Sequence, residues 1–220
     1  MNKIIDLHTH SLLSDGVLLP AELVRRAEII GYAAIGITDH VDLSNIDSVI
    51  QKLLKFAEGA AAKSAIQVIP GIEITHVALS EFKGLVAFAR EKGIKLIVGH
   101  GETIVEPVRK GTNRAAIEAG VNILAHPGLI TLEDAKLAAE KGVFLEISGR
   151  KGHCLSNGHV VQQAIKSGAK LILDTDTHLP EDLISFETAQ AVVRGAGLES
   201  KESLEVLQNN PKELLSRLGF

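Results

Sequence analysis

Short apolar segments recur along this chain of 220 residues, and most of them begin within a residue or two of a glycine. Gly31 precedes residues 33–37 and Gly93 precedes residues 94–98, and each glycine ends a predicted helical stretch. Glycine just beyond a helix adopts the left-handed conformation without steric cost, so these glycines mark helix ends. The pattern predicts seven strands, near residues 3–8, 33–38, 66–73, 94–99, 121–125, 143–147 and 170–174, each followed by a loop and a helix.

The regular alternation of strand and helix constrains the topology. It favours parallel strands joined by right-handed crossovers, which places the chain in the α/β class. Seven or eight such units close naturally into a barrel, and an open doubly wound sheet is the alternative. No linker or low-complexity run interrupts the pattern, so we expect a single domain over residues 1–220.

The amino-acid composition argues against several classes of protein. Hydrophobic residues make up 45% of the chain, which is enough for a full core, and the net charge of −4 argues against a basic nucleic-acid surface. The single cysteine, Cys154, cannot form a disulfide within the chain. The first ten residues do not fit a signal peptide, and no apolar run has the length of a membrane span. We therefore expect a soluble cytoplasmic protein.

Side chains of the types that commonly bind metal ions lie at the carboxyl ends of the predicted strands. His8 and His10 lie at positions i and i+2 of the first strand, so both side chains point to the same face. The other candidates are Asp15, Asp39, His40, Glu73, His100, His126, Asp174, Asp176 and His178. In a closed barrel these strand ends converge on one face. Six of the nine histidines fall there, and this predicts a metal centre.

The ligand types limit which metals are expected. Imidazole and carboxylate groups without thiolate suit Zn²⁺, Mn²⁺ or Fe²⁺. The candidates exceed what one ion needs, and a carboxylate such as Glu73 can bridge two ions, so we expect two or three divalent metal ions. Two metals about 3.5–4 Å apart activate a water and stabilise both the attacking and the leaving oxygen of phosphoryl transfer.

The motifs taken together resemble those of the PHP family, the polymerase and histidinol phosphatase domains. They are His8-Thr9-His10, Asp15-Gly16, Thr38-Asp39-His40, Gly71-Ile72-Glu73, His100, His126-Pro127 and Asp176-Thr177-His178. The resemblance runs along nearly the whole chain in the family's order. It implies a distorted seven-stranded parallel (β/α)7 TIM-like barrel with a trinuclear metal site.

The resemblance also implies how the ligands are shared. One ion would take His8, His10, Glu73 and Asp176; a second would take Glu73, His100 and His126; a third would take Asp15, His40 and His178. Asp39 and Asp174 fall outside this ligand set, and we expect them to support the histidines from behind.

A basic loop follows the sixth predicted strand and reads Ser148-Gly149-Arg150-Lys151-Gly152. It resembles a stretch of the single-domain phosphatase-like members of the family. Arg150 can offer a bidentate fork to a phosphate, and Lys151 can offer a point charge. The alternative is a solvated basic loop. His76 faces either substrate or solvent, while His153 and His159 are not predicted as ligands.

These observations predict an enzyme, a metal-dependent phosphoric monoester hydrolase. It would use metal-activated water on a small phosphorylated metabolite, with histidinol phosphate as one candidate. Asp15, Glu73, His178 and Arg150 are the predicted catalytic residues, and Arg150 and Lys151 the predicted substrate contacts. We expect no nucleic-acid or membrane partner, and the oligomeric state is open.

Three other functions are weighed against this one. A PHP-type nuclease would need a longer groove with basic or aromatic tracks, which this acidic, aromatic-poor chain does not suggest. A non-catalytic scaffold, like the PHP-related protein subunit of RNase P, would lack much of the ligand set. A metal-dependent amidohydrolase is disfavoured because no metal-bridging lysine signature stands out.

Overall fold

The computed structural model describes residues 3–61 and 63–220. Its strands are β1 (Ile5–Thr9), β2 (Ala34–Ile37), β3 (His40–Val41), β4 (Gln67–Ile74), β5 (Leu96–His100), β6 (Ile123–Ala125), β7 (Phe144–Ser148) and β8 (Leu171–Asp174). Its α-helices are α1 (Pro20–Ile30), α2 (Ile46–Ala61), α3 (Phe82–Glu91), α4 (Thr112–Ala119), α5 (Leu132–Lys141), α6 (Asn157–Ser167), α7 (Phe186–Gly195), α8 (Ser200–Leu204) and α9 (Asn210–Arg217). Short 3₁₀ turns (His153–Ser156, Pro180–Asp182) and a π-helical turn (Glu205–Asn209) complete the chain.

All strand pairs are parallel, in the order β1-β2-β4-β5-β6-β7-β8. The short β3 pairs with β4 in the register that β2 sets, with Ile37 opposite Pro70 and His40 opposite Glu73. β2 and β3 are therefore one strand, interrupted at Thr38 and Asp39. The structure thus has the seven strand paths that the sequence predicts.

The barrel is nearly closed between β8 and β1. Just past β8, the Asp176 N–H donates to the His8 carbonyl (2.9 Å), and the His10 N–H donates to the Thr177 carbonyl (2.8 Å). Further down the seam, the Leu7 N–H donates to Oδ1 of Asp174 (2.6 Å). A carboxylate here takes the place of a main-chain acceptor, which is a distortion of the regular ladder. The prediction of a distorted seven-stranded α/β barrel is confirmed.

Apolar side chains fill the part of the barrel where the strands begin. This interior cluster includes Ile5, Leu7, Ile69, Leu96, Val98, Phe144 and Ile172. Helix α9 joins it through Leu214 and Leu215, and the Asn210 side chain donates to the Leu171 carbonyl at the start of β8 (2.8 Å). Helix α9 therefore covers this end of the barrel and leaves the other end free for the site.

The remaining helices pack around the sheet through a second, larger apolar cluster that includes Leu23, Leu53 and Leu85. Helix bounds follow from local sequence: Pro20 opens α1, and Oγ1 of Thr131 accepts from the Asp134 N–H at the start of α5 (3.1 Å). Among the helices in residues 3–61 and 63–220, none combines the length and the apolar character that a membrane span requires.

Candidate metal centre

A cavity of about 600 Å³ opens at the carboxyl ends of the strands. Six predicted ligands line it: Asp15, His40, His100, His126, Asp176 and His178. The other three, His8, His10 and Glu73, are fully buried against this group. The fold therefore brings all nine predicted ligands to one end of the barrel.

The most deeply buried cluster contains His8, His10, Glu73 and Asp176. The Nε2 atoms of the two histidines lie 3.0 Å apart. Oε2 of Glu73 is 3.4 Å from Nε2 of His8 and 3.6 Å from Nε2 of His10. Oδ1 of Asp176 lies 3.2 Å from Nε2 of His10. These four ligand atoms face one another, in the grouping that the sequence analysis assigns to the first ion.

Glu73 also faces a second cluster. Its Oε1 atom lies 3.6 Å from Nε2 of His126, while Oε2 faces the first cluster and also lies 2.6 Å from Nδ1 of His40. The ring of His100 packs against the His126 ring, with centroids 4.5 Å apart. The two oxygens of Glu73 thus point to different histidines, which is the arrangement that a bridging carboxylate needs.

The third cluster lies nearest the opening of the cavity. Oδ1 of Asp15 is 3.1 Å from Nε2 of His178 and 3.6 Å from Nε2 of His40. The His10 ring stacks between the rings of His40 and His178, at 4.2 and 4.1 Å. Asp15 is 58% exposed, so this cluster meets solvent directly while the first one does not.

The donor chemistry of the site fits divalent cations. Nδ1 of His10, Nδ1 of His126 and Oε1 of Glu73 are buried without a hydrogen-bond partner, although nearly all buried polar atoms in proteins have one. Several ring nitrogens and carboxylate oxygens instead converge within 4.8 Å of one another. A cation placed among them would pair with Oε1 of Glu73, which the protein leaves without a hydrogen bond, and nitrogen and oxygen ligands suit Zn²⁺, Mn²⁺ or Fe²⁺.

The pKa values of neighbouring groups are driven in opposite directions. Burial lowers the pKa of His8, but the charges of Glu73 and Glu146 outweigh it and hold that pKa well above its usual value. Burial, together with the charges of His40 and His178, holds the pKa of His10 well below its usual value. Burial raises the pKa of Asp176 to about 6. Such divergence among adjacent groups is typical of functional sites.

Glu146 positions two of the histidines. Its Oε2 atom lies 2.6 Å from Nδ1 of His8, and its Oε1 atom accepts from the His126 N–H (3.3 Å). A carboxylate on Nδ1 directs Nε2 of His8 toward the cluster and makes the ring a better ligand. Glu146 was not predicted from the sequence. Its signal is an acidic residue in the middle of an otherwise apolar strand, Phe144–Ser148.

Asp39 and Asp174 have roles other than the predicted support of histidines. Oδ1 of Asp39 accepts from the Ser11 N–H and the Ser14 hydroxyl, and Oδ2 accepts from the Ser11 hydroxyl, at 2.8 Å each, so Asp39 holds the loop that carries Asp15. Asp174 accepts from the Leu7 N–H at the seam of the barrel. The sequence predicted carboxylates that support the histidines, whereas in the structure their donors are Ser11, Ser14 and Leu7.

Backbone strain is concentrated at the site. Among the described residues, the non-glycine residues with positive φ are His76 (54°), His126 (27°) and Asp176 (51°), and all three line the cavity. Such conformations cost free energy and persist where the surroundings impose them. Gly101 allows a close approach nearby, because a Cβ there would lie 2.1 Å from the Ala125 carbonyl oxygen. This approach brings the ends of β5 and β6, and hence His100 and His126, together.

The two predicted substrate contacts lie in different surroundings. Arg150 lines the cavity, donates to the Asp176 carbonyl (2.9 Å) and lies 3.7 Å from the carboxylate of Asp182. Lys151 is exposed and does not line the cavity. Arg150 is thus held at the wall of the metal centre, whereas the role of Lys151 stays a prediction.

The cavity is also lined by imidazole and carboxylate side chains outside the predicted ligand set, among them His76, Glu106 and His153. Nδ1 of His153 lies 2.6 Å from Oγ1 of Thr103, and its ring stacks on that of His126 at 4.2 Å. Glu106 comes from the long loop between β5 and α4, where no local pattern indicates its direction. With these residues, eight of the nine histidines lie at this end; His159 instead bonds the Ile130 carbonyl (2.8 Å).

The chain is similar to several known proteins. A family model for the PHP domain matches residues 6–101. The uncharacterized protein MJ1295 of Methanocaldococcus jannaschii is 46% identical over 215 residues, which covers 97% of this chain and 99% of that protein. The chain belongs to the PHP domain family. PHP domains depend on metal ions, and the clusters of this PHP domain are able to hold them.

Other relatives of this PHP protein carry the names of hydrolases. The 5'-3' exoribonuclease Rnm of Escherichia coli (strain K12) is 27% identical over 195 residues, covering 77% of this chain and 64% of Rnm. A probable phosphatase of Shewanella sp. (strain MR-4) is 29% identical over 140 residues, covering 56% of this chain and 54% of that protein. The chain thus spans less than two thirds of either protein.

Solved structures share the fold. A chain of an archaeal ribonuclease P determined with mature tRNA superposes with a TM-score of 0.69 at 16% identity, covering 96% of this chain and 89% of that chain. At this level of identity the similarity concerns the barrel alone.

Proposed function

We propose that this PHP protein is a metal-dependent phosphoesterase that hydrolyses a phosphomonoester of a small metabolite. One observation carries the proposal: three clusters of imidazole and carboxylate ligands share one cavity with a guanidinium group. The ligand clusters suit two or three divalent cations, and Arg150 at the same wall suits a phosphate.

The residues that would hold the ions are the nine predicted ligands, His8, His10, Asp15, His40, Glu73, His100, His126, Asp176 and His178. When bound, the ions would supply Lewis acidity and an activated water for attack on phosphorus. Glu73 would join two of the clusters through its two oxygens. The protein itself needs no nucleophilic side chain for this chemistry.

Arg150 would bind and orient the phosphate. Its guanidinium group is partly exposed to the cavity, and contacts with Asp176 and Asp182 fix its position. The N–H groups that these contacts leave free would donate to non-bridging oxygens of the phosphate. Such charge-assisted bonds also stabilise the charge that develops in the transition state.

Asp15 would act as an anionic ligand, not as a proton donor. Burial raises its pKa, but the hydrogen bond from His178 and the charge of His40 outweigh burial and lower that pKa below its usual value. Asp15 is therefore ionised at neutral pH. The proton for the leaving oxygen would come from water, directly or through His178, since the cavity is open to solvent.

The cavity favours a small polar substrate. Away from the clusters its wall carries Asp42, Ser44, Asn45 and Pro107, and Arg150 is the single Lys or Arg among the described residues that line it. A nucleic-acid strand would need several cations or aromatic surfaces along its path. A phosphorylated metabolite needs one phosphate contact and a few polar groups.

A nuclease acting on a phosphorylated 5' end is the second candidate. The similarity to Rnm over 77% of this chain favours it. The same metal centre would serve a phosphodiester, so the two functions differ in the substrate beyond the phosphate and not in the chemistry.

One experiment tests both. Protein purified without chelator is analysed for metal by mass spectrometry, and the same sample is assayed on an aryl phosphate, a panel of phosphorylated metabolites and a 5'-phosphorylated RNA oligonucleotide. We expect two to three ions per chain and chelator-sensitive hydrolysis of a phosphomonoester. Turnover of RNA alone would establish the nuclease instead. Metal-loaded protein that hydrolyses none of these would overturn the proposal.

A further inference from the structure

The loop of residues 101–111, between β5 and α4, places one carboxylate among three imidazoles. Oε2 of Glu106 lies 3.0 Å from Nε2 of His100 and 3.6 Å from Nε2 of His76. Oε1 of Glu106 lies 3.4 Å from Nε2 of His153. These histidines come from three different loops or strand ends, so the convergence is a property of the tertiary structure.

The hydrogen bonds of His100 leave its Nε2 atom available to a cation. Nδ1 of His100 lies 3.0 Å from the Gly101 carbonyl oxygen, which can only accept, so Nδ1 carries the proton of the neutral ring. Nε2 then presents a lone pair, and it faces a carboxylate oxygen that also presents lone pairs. A second proton would relieve this conflict by making a buried imidazolium, and a metal ion between the two atoms would relieve it with the ring neutral.

His153 has the same arrangement as His8. In each ring Nδ1 is engaged by a neighbour, Thr103 for His153 and Glu146 for His8. In each ring Nε2 faces carboxylates at the metal centre, and for His153 these are Glu106 and Asp176 (3.5 Å). Because Thr103 and Glu106 belong to one loop, that loop both orients His153 and supplies the carboxylate opposite it.

We propose that Glu106 and His153 are further metal-binding residues, which extend the cluster of Glu73, His100 and His126. The inference rests on the metal centre of the proposed function. Bonds of about 2.0–2.2 Å to zinc place the ligand atoms of one ion roughly 3–4 Å apart. The contacts of Glu106 with His100 and His153 fall within that range.

Exposure distinguishes Glu106 from the other carboxylates near this cluster. Its side chain is 36% exposed, whereas Glu73 is fully buried and Asp176 is 3% exposed. A ligand on an open loop can leave and return with little rearrangement of the core. Glu106 would therefore set the affinity of this ion without being part of the barrel's buried framework.

The test measures metal binding and not turnover. Metal-free full-length protein is titrated with Zn²⁺ against a chromophoric chelator, for wild type, Glu106→Gln, His153→Gln and the control Glu118→Gln. Glu118 is exposed on α4 and pairs only with Arg114 among the described residues. We expect one equivalent to bind about 10–100-fold more weakly in the first two variants and no change in the control.

A second readout separates direct ligation from hydrogen bonding to a ligand. Titration with Co²⁺ should give a visible absorption spectrum that changes in shape when Glu106→Gln removes a carboxylate from the ion. Wild-type affinity in both variants, or weaker binding with an unchanged cobalt spectrum, would overturn the proposal. Circular dichroism of the metal-free proteins checks that they fold. If Glu106→Gln does not fold, Glu106→Asp replaces it in both titrations.

The outcome is independent of the phosphoesterase assignment. Glu106 and His153 could bind metal in a protein that hydrolyses no phosphomonoester, and the titrations would still show it. Conversely, the wild-type enzyme could hydrolyse a phosphomonoester while the Glu106→Gln variant binds metal with wild-type affinity. The proposed function would then stand, and this inference would be wrong.

Discussion

The two ends of the barrel are built from the same strands, but the side chains that point inward are apolar at one end and ionisable at the other. In β5 the inward positions read Leu96, Val98 and then His100, and in β4 Ile69 is followed on the same face by Glu73. The first part of each strand therefore faces an apolar interior, and the last inward residue faces the metal centre. Helix α9 covers the apolar end, whereas the cavity opens at the other end.

The difference between the two ends shows which residues stabilise the fold and which residues serve the site at a cost in stability. At the apolar end, Leu214 and Leu215 bury hydrocarbon in the interior cluster, which stabilises the fold by about 25 cal/mol per Å². At the polar end, ionisable groups are buried, some without partners, and His126 and Asp176 adopt strained backbone conformations. A change at one end should therefore alter stability, and a change at the other should alter metal binding and catalysis.

Glu73→Gln should have the largest effect. It removes charge from the side chain that faces two clusters, so we expect metal content to fall and hydrolysis to drop by roughly 1000-fold or more. Metal analysis and steady-state kinetics on one preparation check this. Wild-type metal occupancy in the variant would exclude the bridging role of Glu73.

Leu214→Ala should show the opposite behaviour. Leu214 is 2% exposed, so the cavity left by truncation should lower the free energy of unfolding by about 2–5 kcal/mol. Metal content and kcat, measured well below the melting temperature, should stay unchanged. Leu204→Ala is the matched control, since Leu204 is 41% exposed and its truncation should cost little. Loss of metal in Leu214→Ala would mean that the two ends are coupled.

Glu146→Gln tests the support of the buried cluster. Without the carboxylate on Nδ1 of His8, we expect metal affinity to fall by about 10–100-fold while the protein still folds. Titration of the metal-free variant measures this, and the exposed Glu140→Gln is the control. Unchanged affinity would show that packing alone orients His8.

Arg150→Ala should have the smallest effect at the polar end. Loss of a charge-assisted bond to phosphate should raise KM about 10-fold, with metal content unchanged. Arg150→Lys should recover part of the loss, because it keeps the charge and loses the fork. The neighbouring Lys151→Ala should change KM by less than about 2-fold, as expected for an exposed cation. Equal effects at both positions would contradict the separate surroundings of the two side chains.

Much of the barrel could be predicted because its signals are local. The alternation of apolar strand and helix depends on residues a few positions apart, and glycine marks the helix ends whatever lies around them. The interruption between β2 and β3 was not predicted. At this point the Thr38 N–H donates to the Thr9 carbonyl of β1 (2.8 Å) and the Asp39 carboxylate accepts from the Ser11 N–H (2.8 Å), and both partners are distant in sequence.

The sequence alone determined the order of the strands and the presence of ligand-type residues at their carboxyl ends. Parallel strands place every such end on one face, so nine ligands follow from a one-dimensional pattern. Only the tertiary structure decided that Glu106 and His153 join them, that Glu146 holds His8, and that Arg150 faces the cavity while Lys151 does not. Those outcomes depend on the paths of long loops and on contacts between distant segments, which residues close together in sequence do not determine.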